Sequence, residues 1–222
     1  MKTLLSVLIS ILAFQAQCAI SIDASRVIYS GKDKSASLRI NNPTSQNYIV
    51  QSWLDTGNGS ASTKLPMVVT PPLVKLRPDQ SAQLRFIYSG SGLPTDRETL
   101  YWVNVQEIPP AAEGKNILQF AIRTRLKLFY RPQRIKNSLP EEVRKLRWDK
   151  RGTELSFKND GPLHITLVKI EAKDNKGKSY LLDSVLVPPF NTASVTIPQN
   201  AYLNSFKYMN DYGAAVNIPV NK

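Results

Sequence analysis

The chain has 222 residues, of which 42% are hydrophobic, and a formal net charge of +12 at pH 7. This length allows one large domain or two small ones, and the usual size of domains favours two of about 100 residues each. The positive charge attracts anions in general, but we interpret most of the Lys and Arg residues as a solvated surface.

The N-terminus has the order of a secretory signal peptide. Lys2 is followed by an apolar run from Leu4 to Phe14 and then by small or polar residues up to Ala19. The run is shorter than a membrane-spanning helix, which needs about 20 apolar residues. We therefore predict that residues 1–19 are a signal peptide that is removed on export. Cleavage after Cys18 and cleavage after Ala19 both fit the sequence.

The exported chain lacks the side chains that most catalytic and metal sites need. Cys18 is the only cysteine and leaves with the signal peptide; lipidation of Cys18 is disfavoured by Gln17, where a small residue is expected. His164 is the only histidine, so a soft-metal site or a Cys–His pair cannot be built. No Gly-x-Ser-x-Gly elbow or phosphate-binding glycine loop is present. We predict no enzyme, no cofactor and no metal, with carboxylate pairs from distant strands as the open alternative.

Short runs of aromatic and β-branched residues, separated by clusters of Pro, Gly, Asn and Asp, predict an all-β chain. Seven strands within about 110 residues is the count of an immunoglobulin-like sandwich. We predict residues 20–136 as this first domain. Its predicted strands lie at Ser21–Tyr29, Ser35–Ile40, Tyr48–Leu54, Val68–Leu76, Ser81–Tyr88, Thr99–Ile108 and Ile117–Tyr130.

A polar segment at residues 137–142 is predicted as a linker to a second β domain at residues 143–222. The second domain is shorter and is predicted to be another sandwich. On one of its strands His164 alternates with Leu163 and Ile165, so we expect a surface or hydrogen-bonded histidine. The predicted strands lie at Lys145–Trp148, Glu154–Lys158, His164–Glu171, Tyr180–Val187, Ala193–Ile197, Ser205–Met209 and Ala214–Ile218.

The predicted strand Ile117–Tyr130 carries the clearest signal for binding. It is longer than the usual strand of about five or six residues, so part of it is expected to extend beyond its own sandwich. An ordinary core strand explains its alternation, and so does an edge strand left exposed for a partner chain. Its even positions begin with Leu118, Phe120 and Ile122, and its odd positions include Arg123, Arg125 and Lys127.

Four segments carry a family resemblance that covers nearly the whole exported chain. They are Asp23-Ala-Ser-Arg-Val-Ile-Tyr29, the motif from Leu93 to Pro109, the strand from Asn116 to Pro132, and Asn210-Asp-Tyr-Gly213. Together they resemble the periplasmic chaperones that assemble bacterial pili through the chaperone-usher pathway. The resemblance implies two immunoglobulin-like domains set in an L with a cleft between them. The short connection from Ile108 to Asn116 resembles the short-loop members.

The resemblance also implies roles for individual residues. Arg26 and Lys127 are implied to bind the C-terminal carboxylate of a pilus subunit, an arrangement that charge-assisted hydrogen bonds favour. Lys127 has the opposite parity to the even, apolar positions of its strand, for which a bulge or a strong twist would account. The residues implied to enter an incomplete subunit are Leu118, Phe120 and Ile122, and those implied to link the domains by ion pairs are Glu98, Arg131 and Asp211.

The function that the resemblance implies is binding without catalysis. A periplasmic chaperone of this kind stabilises pilus subunits by donor-strand complementation and delivers them to an outer-membrane usher, without a cofactor or nucleic acid. Because an exposed apolar edge invites pairing, the free protein is expected to cap itself as a homodimer. The alternative is an exported immunoglobulin-like structural or adhesive module of a pilus, marked by a free N-terminal donor extension or a missing final strand. The sequence has neither mark.

Overall fold

The computed structural model describes residues 20–57, 64–111 and 118–218. The predicted signal peptide and its two cleavage points therefore lie outside the described residues, as does Ile117. Within the described residues the regular structure consists of strands and one short helix. No described helix is long and apolar enough to cross a membrane.

The first domain is a sandwich of two sheets. Sheet A has the strand order β1-β3-β7-β5, and sheet B has the order β2-β9-β8-β4-β6. Strands β2 and β9 run parallel, whereas the other paired strands of the two sheets are antiparallel. The strands are β1 (Ser21–Ile22), β2 (Arg26–Ser30), β3 (Ala36–Asn41), β4 (Tyr48–Asp55), β5 (Met67–Thr70), β6 (Leu73–Leu76), β7 (Ser81–Tyr88), β8 (Thr99–Ile108) and β9 (Arg123–Arg131).

Alternation along each strand decides which side chains enter the core of this domain. In β7, Leu84 and Phe86 are fully buried, whereas Gln83 and Arg85, the residues that precede each of them, are exposed. The same rule in the other strands produces one continuous cluster of buried side chains between the sheets. Burial of such apolar surface is the main favourable contribution to folding.

Two of the predicted strands are each divided between the two sheets. The predicted strand Ser21–Tyr29 becomes β1 in sheet A and β2 in sheet B, and Val68–Leu76 becomes β5 in sheet A and β6 in sheet B. Pro71 and Pro72 separate β5 from β6, and proline has no N–H with which to continue a ladder. The first of these changes is important for the site, because it places β2 beside β9.

The strand predicted at Ile117–Tyr130 is shorter than expected. β9 begins at Arg123, and residues 118–122 precede it without regular pairing. The described residues retain one backbone hydrogen bond here, from the Glu107 N–H to the Ile122 carbonyl oxygen at 3.0 Å. Because β8 ends at Ile108, little strand remains opposite residues 118–121. Alternation alone therefore overestimated the length of this strand.

A short helix, α1 (Leu139–Arg144), lies where the sequence predicted only a polar linker. Its start is stabilised by the Glu141 carboxylate, which accepts a hydrogen bond from the Ser138 N–H at 2.8 Å. Leu139 and Val143 are four residues apart and pack into the core of the second domain. A helix of one and a half turns is too short for apolar periodicity to reveal it.

The second domain is a smaller sandwich with a core of its own. Sheet C has the order β10-β11-β15; in sheet D the order is β13-β12-β16-β17, and β14 also pairs with β12. The prediction of an all-β chain with two immunoglobulin-like domains is confirmed. Its strands are β10 (Arg147–Arg151), β11 (Glu154–Asn159), β12 (Ile165–Asp174), β13 (Ser179–Leu182), β14 (Val185–Val187), β15 (Asn191–Thr196), β16 (Ala201–Met209) and β17 (Ala215–Ile218).

Candidate binding site at the domain junction

Within the described residues, the first half of β9 is paired on one side only, and its other side is an open edge. β8 pairs with β9 from Arg123 to Tyr130, but β2 pairs with it only from Lys127 onward. The Ile122 carbonyl faces β8, and the Arg131 carbonyl accepts from Gly31 on the β2 side at 2.7 Å. Since backbone groups alternate between the two sides of a strand, those of Arg123 and Arg125 face the open edge. This edge offers hydrogen bonds to a further strand.

An exposed apolar segment leads into the open edge. Leu118, Phe120 and Ile122 are 78%, 69% and 47% exposed. Apolar side chains of this size at alternate positions would normally be buried, and burying each would contribute roughly 1.5–3 kcal/mol. The segment therefore has the composition of a buried strand without a partner in the described chain.

Arg26 and Lys127 are neighbours across the β2–β9 pairing. Both are partly buried, and neither has a carboxylate within salt-bridge distance among the described residues. The Arg26 Nε is buried and has no hydrogen-bond partner in the part of the chain that the structure describes. The guanidinium lies 6.0 Å from the centre of the Phe129 ring, and the Lys127 Nζ lies 5.6 Å from the centre of the Trp102 ring. Two cations thus stand side by side with incompletely balanced charge.

The electrostatics of this pair favour an incoming anion. Burial lowers the pKa of Lys127, and the neighbouring Arg26 lowers it further. Burial also lowers the pKa of Arg26, although Asp211 and Glu98 act in the opposite direction. Arg26 lines a pocket of about 450 Å³ together with residues of both domains. The other lining residues are Asp23, Ala24, Ile28, Asp211 and Tyr212.

The parity of β9 is unbroken from its start at Arg123 to the cation pair. Pairing between β8 and β9 continues from Gln106 opposite Arg123 to Thr99 opposite Tyr130 without a shift of register. No bulge therefore lies in this described part of β9, and Lys127 faces away from the side on which Ile122 projects. The bulge considered from the sequence is not present between Arg123 and Tyr130.

The structure brings Glu98, Arg131 and Asp211 together between the domains. Arg131 donates to Glu98 Oε1 at 3.0 Å and makes two hydrogen bonds to the Asp211 carboxylate, at 2.9 and 3.0 Å. Burial lowers the pKa of Arg131, but the bonds and charges of Asp211 and Glu98 outweigh it, so the pKa lies above its ordinary value. Here a partly buried cation is paired with two carboxylates.

His164 is a member of this network that sequence reasoning did not assign. Its backbone N–H donates to Glu98 Oε2 at 2.8 Å, and its Nδ1 lies 3.0 Å from the same oxygen. Its ring also packs on Phe129 at 5.4 Å between ring centres. The sequence predicted a surface or hydrogen-bonded histidine but gave no sign that its partner lies in the other domain.

The Asn210-Asp-Tyr-Gly213 motif presents Asp211 to Arg131. The Asn210 Oδ1 accepts hydrogen bonds from the N–H groups of Tyr212 and Ala214, at 3.0 and 2.9 Å, and so closes the turn. Gly213 has φ +84, and a Cβ there would lie 2.0 Å from the Ser25 Oγ of the first domain. The glycine therefore permits both the turn and the close approach of the two domains.

The described residues hold no group of three or more His, Cys, Asp or Glu side chains that could bind a metal ion. The chemistry on offer consists instead of backbone hydrogen bonds at a sheet edge, exposed apolar side chains and a cation pair. Fold and site together define a two-domain immunoglobulin-like protein with the features of a surface for strand addition.

Comparison with known proteins identifies the family. Residues 19–136 match the model of the pili and flagellar-assembly chaperone, PapD N-terminal domain, and residues 141–219 match that of the pili assembly chaperone PapD, C-terminal domain. The chain belongs to this family of pilus-assembly chaperones, whose role is not enzymatic. The alternative of a structural or adhesive pilus module is not favoured.

Individual relatives agree with the family. The chain is 37% identical over 202 residues to the probable fimbrial chaperone LpfB of Escherichia coli O157:H7, covering 88% of this chain and 84% of that protein. The solved structure of the YadV chaperone matches with a TM-score of 0.78 and 32% identity, covering 90% of this chain and 98% of YadV. The SafB chaperone of Salmonella enterica, solved with the SafA pilin, matches with a TM-score of 0.77 and 28% identity, covering 92% and 98%.

Proposed function

We propose that this protein is a periplasmic chaperone that binds pilus subunits and completes their fold with its own segment Leu118–Ile122. The observation that carries the proposal is the open edge of β9 next to three exposed apolar residues at alternate positions. Strand addition at such an edge gains affinity from main-chain hydrogen bonds and specificity from alternate side chains that fill pockets. The SafB relative, which is solved with a pilin, supports a subunit as the partner.

Arg26 and Lys127 would bind the C-terminal carboxylate of the subunit. The unpartnered Arg26 Nε and the lowered pKa of Lys127, caused first by burial, both favour an anion at this place. A chain that ends there and follows the open edge back toward Ile122 has to run parallel to β9. β2 already pairs with β9 in that direction from Lys127 onward, so the subunit strand would continue the line of β2.

The paired cluster of Glu98, Arg131 and Asp211 would hold the angle between the domains. The two bonds from Arg131 to Asp211 join the domains, and so does the bond from the His164 N–H to Glu98, whereas the Arg131–Glu98 bond lies within the first domain. Buried ion pairs are weak evidence for stability but are able to fix geometry. A fixed angle would keep the pocket at Arg26 open for the end of a subunit.

The wider assignments follow from the same family. We propose residues 1–19 as a cleaved signal peptide, residues 20–136 and 143–222 as the domains and 137–142 as their linker, the latter half of which forms the start of α1 and packs on the second domain. The mature protein is proposed to reside in the periplasm. An outer-membrane usher would receive the loaded chaperone. No catalysis or cofactor is required. The subunit would retain part of its folding energy in the complex with the chaperone, and that energy would be released on polymerisation.

Co-purification from the host periplasm tests the proposal. Tagged wild-type protein is compared with Lys127→Ala, with Phe120→Ser, and with Lys32→Ala as a control that changes an exposed lysine in a turn. Mass spectrometry is expected to identify small pilin-like subunits with the wild type and with Lys32→Ala, and to find them depleted with the other two. Equal recovery of subunits by all four proteins would contradict the proposed site, and recovery of none by the wild type would contradict the function.

A homodimer is the form proposed for the free protein, because one open edge is able to pair with another. Sedimentation over a range of concentrations is expected to show a monomer–dimer equilibrium that Phe120→Ser shifts toward monomer. A wild-type protein that stays monomeric at the highest concentration would exclude this pairing.

A further inference from the structure

A row of basic side chains lines the open edge of β9 on the outer face of sheet B. Arg123, Arg125 and Lys127 stand at every second position of β9 and therefore share one face, and Arg26 extends the row across the β2 pairing. From the pair of Arg26 and Lys127, the row runs back along β9 to Arg125 and Arg123, beside the edge on which a bound strand would lie. Arg123 and Arg125 have no role yet in the proposed function.

These side chains are held in place by aromatic rings. The Arg125 Cζ lies 4.8 Å from the centre of the Trp102 ring, which Lys127 also approaches, and the Arg123 Cζ lies 6.0 Å from the Trp53 ring. Stacking on an indole face reduces the freedom of a guanidinium while leaving its N–H groups available. An ordinary solvated arginine has no such support.

Only one carboxylate is paired with this row in the described residues. Asp55 contacts the Arg125 guanidinium at 2.9 Å, but its oxygens also accept from the Asn104 side chain at 2.6 Å and from the Gly57 N–H at 2.7 Å. The Arg125 side chain remains 37% exposed. Most of the positive charge of the row is therefore available to a partner.

The geometry at the edge specifies where that partner's side chains would lie. The backbone groups of Arg123 and Arg125 face the open edge, so a strand added there pairs directly with them. Neighbouring strands lie about 4.7–4.9 Å apart, so side chains on the same face of the two strands are close enough for opposite charges to attract. Alternate residues of the added strand would face the row of arginines.

We propose that the subunits bound by this chaperone carry carboxylate side chains at alternate positions of their last strand, facing Arg125 and Arg123. The inference rests on the proposed function and deepens it by naming the chemistry of the subunit strand. The apolar side of that strand follows the even positions of β9, and its acidic side follows the odd positions. Arg26 and Lys127 bind the terminal carboxylate, which every subunit has. Arg123 and Arg125 favour those subunits whose last strand also carries acidic side chains.

Synthetic peptides of about ten residues, a length that spans the edge, test this selection. One peptide alternates Val and Glu with Glu as the penultimate residue, a second has Glu as the last residue, and each has a counterpart with Gln in place of Glu. Amidated forms of all four remove the terminal carboxylate. Binding is measured by titration calorimetry to wild-type protein, to an R123Q/R125Q variant, and to Arg77→Gln, which changes an exposed arginine in a turn.

We expect one of the two Glu peptides, the one whose Glu side chains face the arginines, to bind about three- to tenfold more tightly than its Gln counterpart. This gain is of the size measured for partly exposed charge pairs. This gain should disappear in R123Q/R125Q, persist in Arg77→Gln, and shrink between about 50 mM and about 500 mM salt. Thermal unfolding of each variant checks that it is folded.

Three outcomes would overturn the proposal. If each Glu peptide binds no more tightly than its Gln counterpart, whether Glu is the last or the penultimate residue, the arginines do not select acidic strands. A gain that survives in R123Q/R125Q would place the selection elsewhere. In a parallel sedimentation assay with vesicles of anionic phospholipid, an R123Q/R125Q variant that loses binding to the vesicles but to none of the peptides would assign the row to a membrane surface instead. Amidated peptides that bind as well as free acids would contradict the carboxylate anchor of the proposed function, while the comparison of Glu with Gln would still judge the arginines.

Discussion

Two groups of partly buried cations lie at the junction of the domains, and they differ in how their charge is balanced. Arg131 is paired with Glu98 and Asp211, and its pKa is raised because these partners outweigh burial. Arg26 and Lys127 have no carboxylate within salt-bridge distance in the described chain, and burial lowers the pKa of each. The paired group therefore stabilises the protein itself, whereas the unpaired group gives up stability that an anionic partner would restore.

Breaking the paired group should have the largest effect. Arg131→Met leaves the Glu98 carboxylate, which is 1% exposed, without its cation. The free energy of unfolding is expected to fall by about 3–5 kcal/mol, as is usual when one partner of a buried pair is removed. Urea denaturation followed by tryptophan fluorescence measures the loss.

Arg151→Met is the matched control, because the Arg151–Asp149 pair is exposed, with 87% and 63% of the side chains accessible. It should change the free energy of unfolding by less than about 1 kcal/mol. Equal losses for the two variants would mean that the junction pair has no special structural weight.

Breaking the unpaired group should affect binding rather than stability. Lys127→Met removes a partly buried charge that has no carboxylate partner in the described chain, so the protein should unfold at the same urea concentration or a higher one. Binding of a peptide with a free C-terminal carboxylate should weaken about ten- to hundredfold, the equivalent of one charge-assisted hydrogen bond. Calorimetry on the variant and on Lys32→Met distinguishes the site from general charge. A stability loss like that of Arg131→Met, with binding unchanged, would reverse the comparison.

The pH dependence of stability should separate the groups further. The pKa of Lys127 is lower in the folded protein than its ordinary value of 10.5, first through burial and then through Arg26. Between the two values the unfolded chain binds more protons, so the free energy of unfolding rises with pH in that alkaline range. Wild-type protein should therefore gain stability relative to Lys127→Met between pH 7 and a pH of about 10. A difference that stays constant over this range would show that Lys127 is not strained by burial.

The smallest effect is expected at the more exposed pair of Asp55 and Arg125. Burial raises the pKa of Asp55, but hydrogen bonds from Asn104 and Gly57 and the nearby Arg125 outweigh it and hold the pKa below its ordinary value of 3.8. Asp55→Asn should cost less than about 1 kcal/mol at neutral pH. Because the folded pKa is lowered, this cost should be present above the ordinary pKa and vanish as the pH falls through the folded pKa. Urea denaturation at neutral pH and at a pH of about 2.5 measures it; a cost that grows in acid would assign the effect to another group.

Much of the fold could be predicted because alternation is a local property. The predicted strands Ser81–Tyr88 and Thr99–Ile108 have the observed bounds, since each alternates clearly and is ended by turn residues. Strands divided between sheets were not separable, because Ser21–Tyr29 reads as one run whichever sheet its halves join. The helix α1 was missed because two apolar residues do not establish a period.

The candidate site was found from the sequence as residues but not as an arrangement. The resemblance supplied Arg26, Lys127 and the apolar segment, yet it raised the question of their opposite parity. Continuous pairing along β9 answers that question without a bulge. Ile122, at the start of the edge, projects on one face, and Lys127 projects on the other. The contact between His164 and Glu98 joins residues 66 positions apart and had no local sign.

The sequence by itself determined which residues are apolar at alternate positions, and hence an all-β chain with two sandwiches, because burial of one strand face depends only on period. It also carried the motifs that mark the family. Only the tertiary structure decided that β2 reaches no further along β9 than Lys127, and so left the edge open beside Arg123 and Arg125. It alone decided which cations are paired. Both outcomes depend on contacts between segments that are distant in the chain, and the sequence of a single strand does not determine such contacts.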